Sequence, residues 1–395
     1  MPERPAAKII EDLVQALGPV LWFFRESTWS KRLGDPTLCD FVAGNPHDLP
    51  LPEIVDALQR RAVPENKDWF AYKMNDENSQ AVAARALSAE HGIPYDPLDL
   101  TLTPGTFGAL SVAMRTILDR DDELIFISPP WFFYEAMVMV AGATPVRVVS
   151  PPPDFELPLD AIEAAITPRT RAIIVNSPNN PSGRIYPASD LARLGAMLKA
   201  ASERNGRTIY LLSDESYRRI LFDGNKFETP AKHYDATLVL YTYGKQLLAP
   251  GQRLGYIAMP HQMPDREVMR DAFTLAQITG GWQWPNALMQ YTLPDLETVS
   301  VDVPHLQERR DRVVSELRRI GYEVNKPDST FYILAKSPME DDMAFTEVLA
   351  EHNVFVLPGR IFELPGYFRI SITANDDMIE RSFPGFEKAL KQATG

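Results

Sequence analysis

The chain of 395 residues contains one cysteine, Cys39, and six histidines, none of which recur at i, i+4 spacing. A single thiol cannot form an intrachain disulfide, and zinc sites built on cysteine need several thiolates. Scattered histidines do not supply the clustered ligands of a metal site either. We therefore expect neither a disulfide nor a bound metal.

The sequence also lacks a long apolar run and an excess of positive charge. No run approaches the roughly 18 residues of a membrane-spanning helix. The amino-terminal KIIEDLVQALGPVLWFF is interrupted by Glu11, Asp12 and a Gly-Pro pair, unlike a secretory signal. The formal charge of −13 repels phosphate backbones and anionic lipid. We expect a cytoplasmic protein without nucleic-acid or membrane partners, in which local cations bind any anionic ligand.

Short apolar runs alternate with helical patterns through the middle of the chain. The runs include those in DLTLTPGTFGAL, ELIFISPPWFFY, RAIIVNSPNNPSG, TIYLLSDESY and ATLVLYTYGK. Alternation of this kind predicts an α/β fold with a parallel sheet covered by helices on both faces. One intervening segment, ASDLARLGAMLKAASERNG, predicts a helix with Asp190 or Ser189 as N-cap and Gly206 just beyond its end.

A second region begins near residue 295. VPHLQERRDRVVSELRRIG is typical of a long amphipathic helix, and TFYILA and YFRISIT are typical of strands. We predict a large domain over residues 46–294 and a smaller α+β domain formed by residues 1–45 and 295–395. The aromatic stretch LWFF at 21–24 either packs this small domain or lines a pocket, and packing is favoured.

Polar or aromatic residues follow the predicted strands. Ligands of open parallel sheets bind outside the carboxyl ends of the strands. One cleft would therefore collect backbone N–H groups, an aromatic plate, an amide, a carboxylate, a phenol and an amine: Gly105, Thr106, Phe107, Trp131, Asn180, Asp214, Tyr217, Thr242 and Lys245.

The turn TPGTFGAL presents N–H groups at the start of a helix, where an anion is favoured. Arg253 can supply the countercharge, because its planar guanidinium matches a phosphate. An anion, an aromatic ring, a ring nitrogen that needs a carboxylate and an aldehyde that needs an amine together describe pyridoxal 5′-phosphate. We therefore predict a site for this cofactor.

From FVAGNPHDLP to YFRISIT the sequence resembles the fold-type I, pyridoxal-phosphate-dependent aminotransferases of the aspartate aminotransferase superfamily (class I/II). The resemblance implies a mostly parallel seven-stranded sheet in a large cofactor-binding domain. NSPNNPSG and SDESY are similar to two family motifs, which implies that Asn180 and Tyr217 contact the cofactor's phenolic oxygen and Asp214 its pyridine nitrogen. Lys245 matches the lysine that binds the cofactor's aldehyde, and Arg253 matches the phosphate-binding arginine.

The same resemblance implies further roles. Trp131 would stack on the cofactor ring, and Arg369 would bind the substrate's α-carboxylate together with Gly44 and Asn180. Tyr72 resembles the tyrosine that reaches the phosphate of the neighbouring subunit. The resemblance thus implies a homodimer with shared active sites.

The sequence departs from the family pattern at two places. Thr242 keeps a hydroxyl for the phosphate, but Gly244 stands where the family commonly has serine. After Tyr72, MNDENSQAVA replaces a turn that usually contains glycine.

The predicted function is an aminotransferase that moves the amino group of an L-α-amino acid to a 2-oxo acid by a ping-pong mechanism. Two alternatives stay open at this point. One is a lyase, cyclase or oxidase of specialised metabolism that uses the same cofactor and fold. The other is a non-catalytic regulatory module that binds the cofactor.

Overall fold

The structure is a computed structural model and describes residues 5–395. In that range the α-helices are α1 (Lys8–Ala16), α2 (Gly18–Glu26), α3 (Thr28–Lys31), α4 (Pro52–Arg61), α5 (Glu77–His91), α6 (Gly105–Ile117), α7 (Tyr134–Val140), α8 (Leu159–Ala165), α9 (Ala188–Asn205), α10 (Tyr243–Gln246), α11 (Arg266–Thr279), α12 (Ala287–Leu296), α13 (Val303–Ile320), α14 (Asp342–Glu351) and α15 (Asp376–Thr394). The strands are β1 (Cys39–Asp40), β2 (Leu100–Thr103), β3 (Glu123–Ser128), β4 (Thr144–Val149), β5 (Thr170–Asn176), β6 (Tyr210–Asp214), β7 (Thr237–Thr242), β8 (Gly255–Ala258), β9 (Tyr332–Lys336), β10 (Val354–Phe355), β11 (Leu357–Pro358) and β12 (Tyr367–Ser371).

A seven-stranded sheet forms the centre of the molecule. Its strand order is β2-β8-β7-β6-β5-β3-β4. β8 is antiparallel to both of its neighbours, whereas the pairs from β7 to β4 are parallel. This architecture confirms the predicted α/β fold with a mostly parallel sheet.

Both faces of the sheet are covered, which explains why its strands are continuous apolar runs. Ile174 of β5 packs into a core shared with Phe273 of α11 and with α6. Its neighbour Ile173 points the opposite way, into a core that includes Leu194 and Leu198 of α9. Successive residues of one strand thus serve two cores, and helices exclude water from both.

Helix α9 was predicted correctly at one end only. Gly206 takes a left-handed conformation, with φ of 63°, directly after the helix. The helix begins at Ala188 after Pro187, however, and the preceding residue makes no side-chain cap. Ser189 and Asp190 therefore lie within the first turn, and the predicted N-cap was wrong.

A second core lies beside the large sheet. It combines Cys39 and Phe41 with residues of α13, α15 and the antiparallel sheet β11-β12-β9. Tyr217, Ile220 and Phe222 extend this core towards the seven-stranded sheet. We retain the division into 46–294 and 1–45 with 295–395 as a proposal, which the separate core supports.

Among residues 5–395, no helix is both long and apolar enough to cross a membrane.

Asp99 fixes the outer edge of the large sheet. It directly precedes β2, and its carboxylate is fully buried. Arg266 and Arg270 of α11 both bind it, and the Arg270 Nε donates to Oδ1 at 2.8 Å. Because β2 leads into the turn before α6, this double ion pair holds one wall of the cleft described below.

Replacing Asp99 by Asn removes the negative charge from two partly buried arginines. We expect Asp99→Asn to lower the free energy of unfolding by about 2 kcal/mol, since the remaining cations keep their desolvation cost. Asp160→Asn is the matched control, because Asp160 pairs with Arg193 at the surface. Urea denaturation should show a change of less than about 0.5 kcal/mol for the control. Equal effects of the two changes would contradict this role of Asp99.

Candidate active site

One cleft at the carboxyl edge of the large sheet brings together most of the predicted site residues. The side chains and backbone that line it include Gly44, Thr106, Phe107, Trp131, Asn180, Asp214, Tyr217, Thr242, Lys245, Arg253 and Arg369. Strands β6 and β7 end here in parallel, so their terminal residues Asp214 and Thr242 meet at the same edge. Arg369 enters from β12 of the second core.

At one end of the cleft lies Arg253, whose guanidinium donates to the carbonyl oxygens of Pro250 at 2.7 Å and Pro104 at 2.9 Å. No carboxylate in the described part of the chain pairs with it, and partial burial lowers its pKa. Gly105 opens α6 beside it with φ of 76°. A Cβ on Gly105 would lie 2.9 Å from the Arg253 Nη2 and 3.2 Å from the Thr242 Oγ1. These groups form a cradle that suits an anion.

Lys245 lies on the short helix α10, immediately after β7. Its side chain is half-buried, with Nζ 5.6 Å from the ring centre of Tyr217. Among residues 5–395 no carboxylate lies within ion-pair distance of the amine. A primary amine therefore faces the middle of the cleft without a salt bridge.

Asp214 is the last residue of β6 and is buried. Its Oδ2 accepts a hydrogen bond from the Tyr134 Oη at 2.6 Å, and its Oδ1 accepts one from the Ser216 Oγ at 2.6 Å. Burial raises the pKa of this carboxyl, against the lowering effect of these hydrogen bonds. No cation of the described residues forms an ion pair with it, so a cationic group of a ligand would stabilise its charged form.

Arg369 lines the same cleft as Arg253 and is buried. Its Nη1 donates to the Asn180 Oδ1 at 2.9 Å and its Nη2 to the Val42 carbonyl at 3.1 Å. Its buried Nε has no hydrogen-bond partner within residues 5–395. Burial lowers the pKa of the guanidinium, against the raising effect of the Tyr332 and Tyr217 hydroxyls. A carboxylate is the anion that this fork fits best.

Aromatic rings form the remaining wall. The rings of Trp131 and Phe107 meet edge to face with centroids 4.8 Å apart. Phe24 of α2 also lines the cleft and lies 6.5 Å from Phe132, whereas Phe23 is buried in a packing cluster. The expected packing role of LWFF holds for Phe23, whereas Phe24 both packs against Phe23 and Trp29 and lines the cleft.

The structure explains the departure at Gly244. A Cβ on this residue would lie 3.1 Å from the Pro250 Cα and 3.3 Å from the Thr242 Oγ1. A serine would therefore require a small shift of the backbone at Pro250. The hydroxyl of Thr242 fills the space instead and accepts a hydrogen bond from the Gly244 N–H at 3.2 Å.

Tyr72 does not reach the cleft of its own chain. It is 92% exposed and lies 5.4 Å from Trp282 in an open hollow that also contains Phe70. The contact predicted for Tyr72 is with the phosphate of a neighbouring subunit, and it stays a prediction.

Sequence reasoning missed several residues of the cleft. Asn176 ends β5, donates to the Asp214 carbonyl at 2.9 Å and accepts from the Asn180 N–H at 2.7 Å. The strand-end rule could have identified it. Ser216 and Tyr332 also line the cleft. The sequence did not distinguish Tyr332 as a cleft residue, because TFYILA has the pattern of any buried strand.

The cleft thus holds two arginines and one carboxylate without a charge partner in the described chain, together with a free amine and aromatic walls. This set fits an enzyme that binds pyridoxal 5′-phosphate, since the cofactor supplies a phosphate, a ring nitrogen and an aldehyde. The sequence profile of the family "Aminotransferase class I and II" matches residues 36–382. The chain belongs to this pyridoxal-phosphate-dependent family and is an aminotransferase.

Individual relatives agree with this assignment. The aspartate/prephenate aminotransferase of Thermus thermophilus is 30% identical over 363 residues, which cover 90% of this chain and 92% of the relative. Aromatic-amino-acid aminotransferase 2 of Thermococcus litoralis is 27% identical over 355 residues, covering 87% and 90%. The crystal structure of an aminotransferase from Eubacterium rectale superposes with a TM-score of 0.90 and 31% identity, and covers 100% of both chains.

Proposed function

We propose that this aminotransferase binds pyridoxal 5′-phosphate in the cleft and transfers the amino group of an L-α-amino acid with an apolar or aromatic side chain. The observation that carries the proposal is the arrangement of Arg253, Asp214 and Arg369, whose charges have no oppositely charged partner among residues 5–395. The family supports the cofactor, and the cleft walls support the substrate class.

The phosphate would bind at the cradle of Gly105, Thr242 and Arg253. The first turn of α6 offers N–H groups without helical partners, and Thr106 and Phe107 continue this turn. Arg253 adds the charge. The two carbonyl oxygens that hold its guanidinium fix its direction without neutralising it.

The ring would lie between Trp131 and the strand ends. Asp214 would bind the ring nitrogen. The cationic N–H of the ring would stabilise the charged carboxylate and so oppose the effect of burial, which raises the carboxyl pKa. Asn180 and Tyr217 would contact the phenolic oxygen. Tyr134 and Ser216 hold both oxygens of Asp214, so this carboxylate keeps one orientation.

Lys245 and Arg369 would carry the reaction. Pyridoxal 5′-phosphate, when bound, supplies an electron-accepting ring that stabilises negative charge at the substrate's Cα. Lys245 would hold the aldehyde in the resting enzyme and, once an amino acid replaces it, take the proton from Cα. Arg369, with Gly44 and Asn180, would grip the α-carboxylate and so direct Cα towards the amine.

The substrate side chain would meet an apolar wall. The cations that line the cleft are Lys245, Arg253 and Arg369, and the roles above use all three. A second carboxylate on the substrate would be desolvated without a countercharge from residues 5–395, which is costly. The wall nearby consists of Phe24, Val42, Phe107, Phe132 and Leu357. Relatives named for aspartate therefore differ from this chain in preferred substrate, under this proposal.

A stopped-flow experiment without any oxo acid tests the function. Protein loaded with pyridoxal 5′-phosphate is mixed separately with L-phenylalanine, L-leucine, L-aspartate and L-glutamate, and the visible absorbance of the cofactor is followed. We expect the second-order rate constant to be at least about tenfold higher for L-phenylalanine than for L-aspartate. One oxo acid per bound cofactor should form, without ammonia.

Two variants control this experiment. Lys245→Ala should abolish the reaction and the cofactor's borohydride-trapped adduct, whereas Lys391→Ala, at an exposed lysine, should change neither. Release of ammonia with each turnover would contradict amino transfer. Faster reaction with L-aspartate would leave amino transfer intact and refute only the apolar substrate class.

We also propose a homodimer in which the hollow of Tyr72 faces the partner's cleft. Phe70, Tyr72 and Trp282 are 64%, 92% and 40% exposed. Aromatic side chains exposed together are typical of protein interfaces. A partner would cover them and would bring Tyr72 towards the phosphate cradle of the other chain.

Mixing two impaired variants tests the shared sites. Tyr72→Ala and Lys245→Ala proteins, unfolded and refolded together, should regain up to about a quarter of the wild-type activity, because each heterodimer contains one intact site. Sedimentation should report a dimer throughout. A monomer at micromolar concentration, or no activity above that of the separate variants, would contradict the proposal.

A further inference from the structure

Tyr332 lies in the cleft between Arg369, proposed above to bind the substrate, and Tyr217, which is next to Lys245. It is the first residue of β9 and is buried. β9 pairs with β12 so that Leu334 stands opposite Arg369. Residues two apart in a strand share a face, so Tyr332 is the diagonal neighbour of Arg369 on the face towards the cleft. The register of the sheet therefore sets this contact.

The ring of Tyr332 supports the guanidinium of Arg369. The Arg369 Cζ lies 3.8 Å from the ring centre. A cation is attracted to an aromatic face, most strongly where water is excluded. With Nη1 and Nη2 held by Asn180 and Val42, the ring defines the plane in which the fork faces a ligand.

The hydroxyl of Tyr332 has a second partner. The Tyr217 Oη donates a hydrogen bond to it at 3.4 Å. Burial alone would raise the pKa of Tyr332, but the cations of Lys245 and Arg369 outweigh it and hold this pKa below the ordinary value. The pKa of Tyr217 is raised by burial and further by Tyr332. Tyr332 is thus the more acidic member of the pair.

The backbone leaves this hydroxyl little freedom. Gly44 passes so close that a Cβ there would lie 2.6 Å from the Tyr332 Oη. Thr330, two residues before Tyr332, has φ of 73°, which is uncommon for a β-branched residue. Its Oγ1 accepts a hydrogen bond from the Tyr332 N–H at 3.1 Å. Such strain persists only where the surroundings hold it in place.

We propose that Tyr332 is a positioning residue for amino transfer: its ring orients Arg369 for the substrate carboxylate, and its hydroxyl holds Tyr217 beside Lys245. The proposal rests on the function proposed above for Arg369 and Tyr217. It adds a residue whose ring and hydroxyl group have separate roles. The ring supports binding of the substrate's carboxylate by Arg369. The hydroxyl affects the electrostatic environment of Lys245 through its hydrogen bond with Tyr217.

Two substitutions separate these roles. Tyr332→Phe keeps the ring, so the dissociation constant of 3-phenylpropionate, a carboxylate without an amino group, should change less than about twofold. Without the Tyr332 hydroxyl, the Tyr217 O–H loses this hydrogen-bond acceptor and can donate to the cofactor's phenolic oxygen instead. This should lower the pH midpoint of the bound cofactor's visible absorbance by about half a unit or more. Tyr332→Leu removes the ring as well and should weaken 3-phenylpropionate binding about tenfold, with a larger effect on KM than on kcat.

Tyr322→Phe is the matched control, because it removes a buried tyrosine hydroxyl that donates to the Phe386 carbonyl away from the cleft. It should change neither the midpoint nor the binding. If Tyr332→Leu does not fold, Gly44→Ala replaces it. Gly44→Ala should weaken 3-phenylpropionate binding, and adding Tyr332→Phe should restore part of the loss, since the nearest ring atom is then 3.4 Å from the new methyl group.

Wild-type binding of 3-phenylpropionate with an unchanged midpoint in Tyr332→Phe would overturn the role of the hydroxyl. Wild-type affinity in Tyr332→Leu, or no restoration in the Gly44 double variant, would overturn the role of the ring. Wild-type protein that neither retains pyridoxal 5′-phosphate nor binds 3-phenylpropionate would overturn the proposed function itself. The controls therefore distinguish the two failures.

Discussion

Charges without protein partners organise the cleft. Buried charged side chains elsewhere in the fold have partners within the protein. Arg218, four residues after Asp214, forms an ion pair with Glu90 at 2.9 Å and donates to the Tyr256 hydroxyl at 2.8 Å. Arg253, Arg369 and Asp214 have no such partner in the described chain, although the sequence contains 53 acidic and 40 basic residues. Arg369 and Asp214 are buried, and an uncompensated buried charge costs stability, whereas Arg253 is exposed. We therefore interpret these three groups as binding sites for the charged parts of ligands. Arg253 would bind a phosphate, Asp214 a ring cation and Arg369 a carboxylate.

The rest of the fold holds these charges at fixed separations. Asp214 and Thr242 end adjacent parallel strands, so the sheet sets the distance between the proposed partner of the ring nitrogen and the proposed phosphate cradle. Arg369 comes from the other sheet, where Tyr332 is its diagonal neighbour. Any change in how the two sheets pack would move the carboxylate fork relative to Lys245. Substrate alignment thus depends on packing between the two cores as much as on the cleft residues.

Much of the fold and many residues of the cleft could be predicted from the sequence, because the carboxyl ends of neighbouring parallel strands lie at the same edge of a sheet. Apolar runs followed by a polar residue located Asp214 and Lys245, and periodicity located α13. Contacts across the sheets were not predictable. Tyr332 belongs to a run like any buried strand, and its link to Arg369 depends on a register between distant segments. Phe24 shares its short helix with Phe23, and only tertiary packing decides which ring meets the cleft. Gly244 looked like a lost phosphate contact, whereas the structure shows that Pro250 leaves little room for a side chain there.

The most direct test of the central claim is a crystal structure of the protein with pyridoxal 5′-phosphate and 3-phenylpropionate. The account predicts electron density continuous from the Lys245 Nζ to the cofactor, with the phosphate on Arg253, the ring nitrogen on Asp214 and the ligand carboxylate on Arg369. A phosphate bound away from Arg253, or a carboxylate that leaves Arg369 without a partner, would contradict the claim that these charges are held for the ligands.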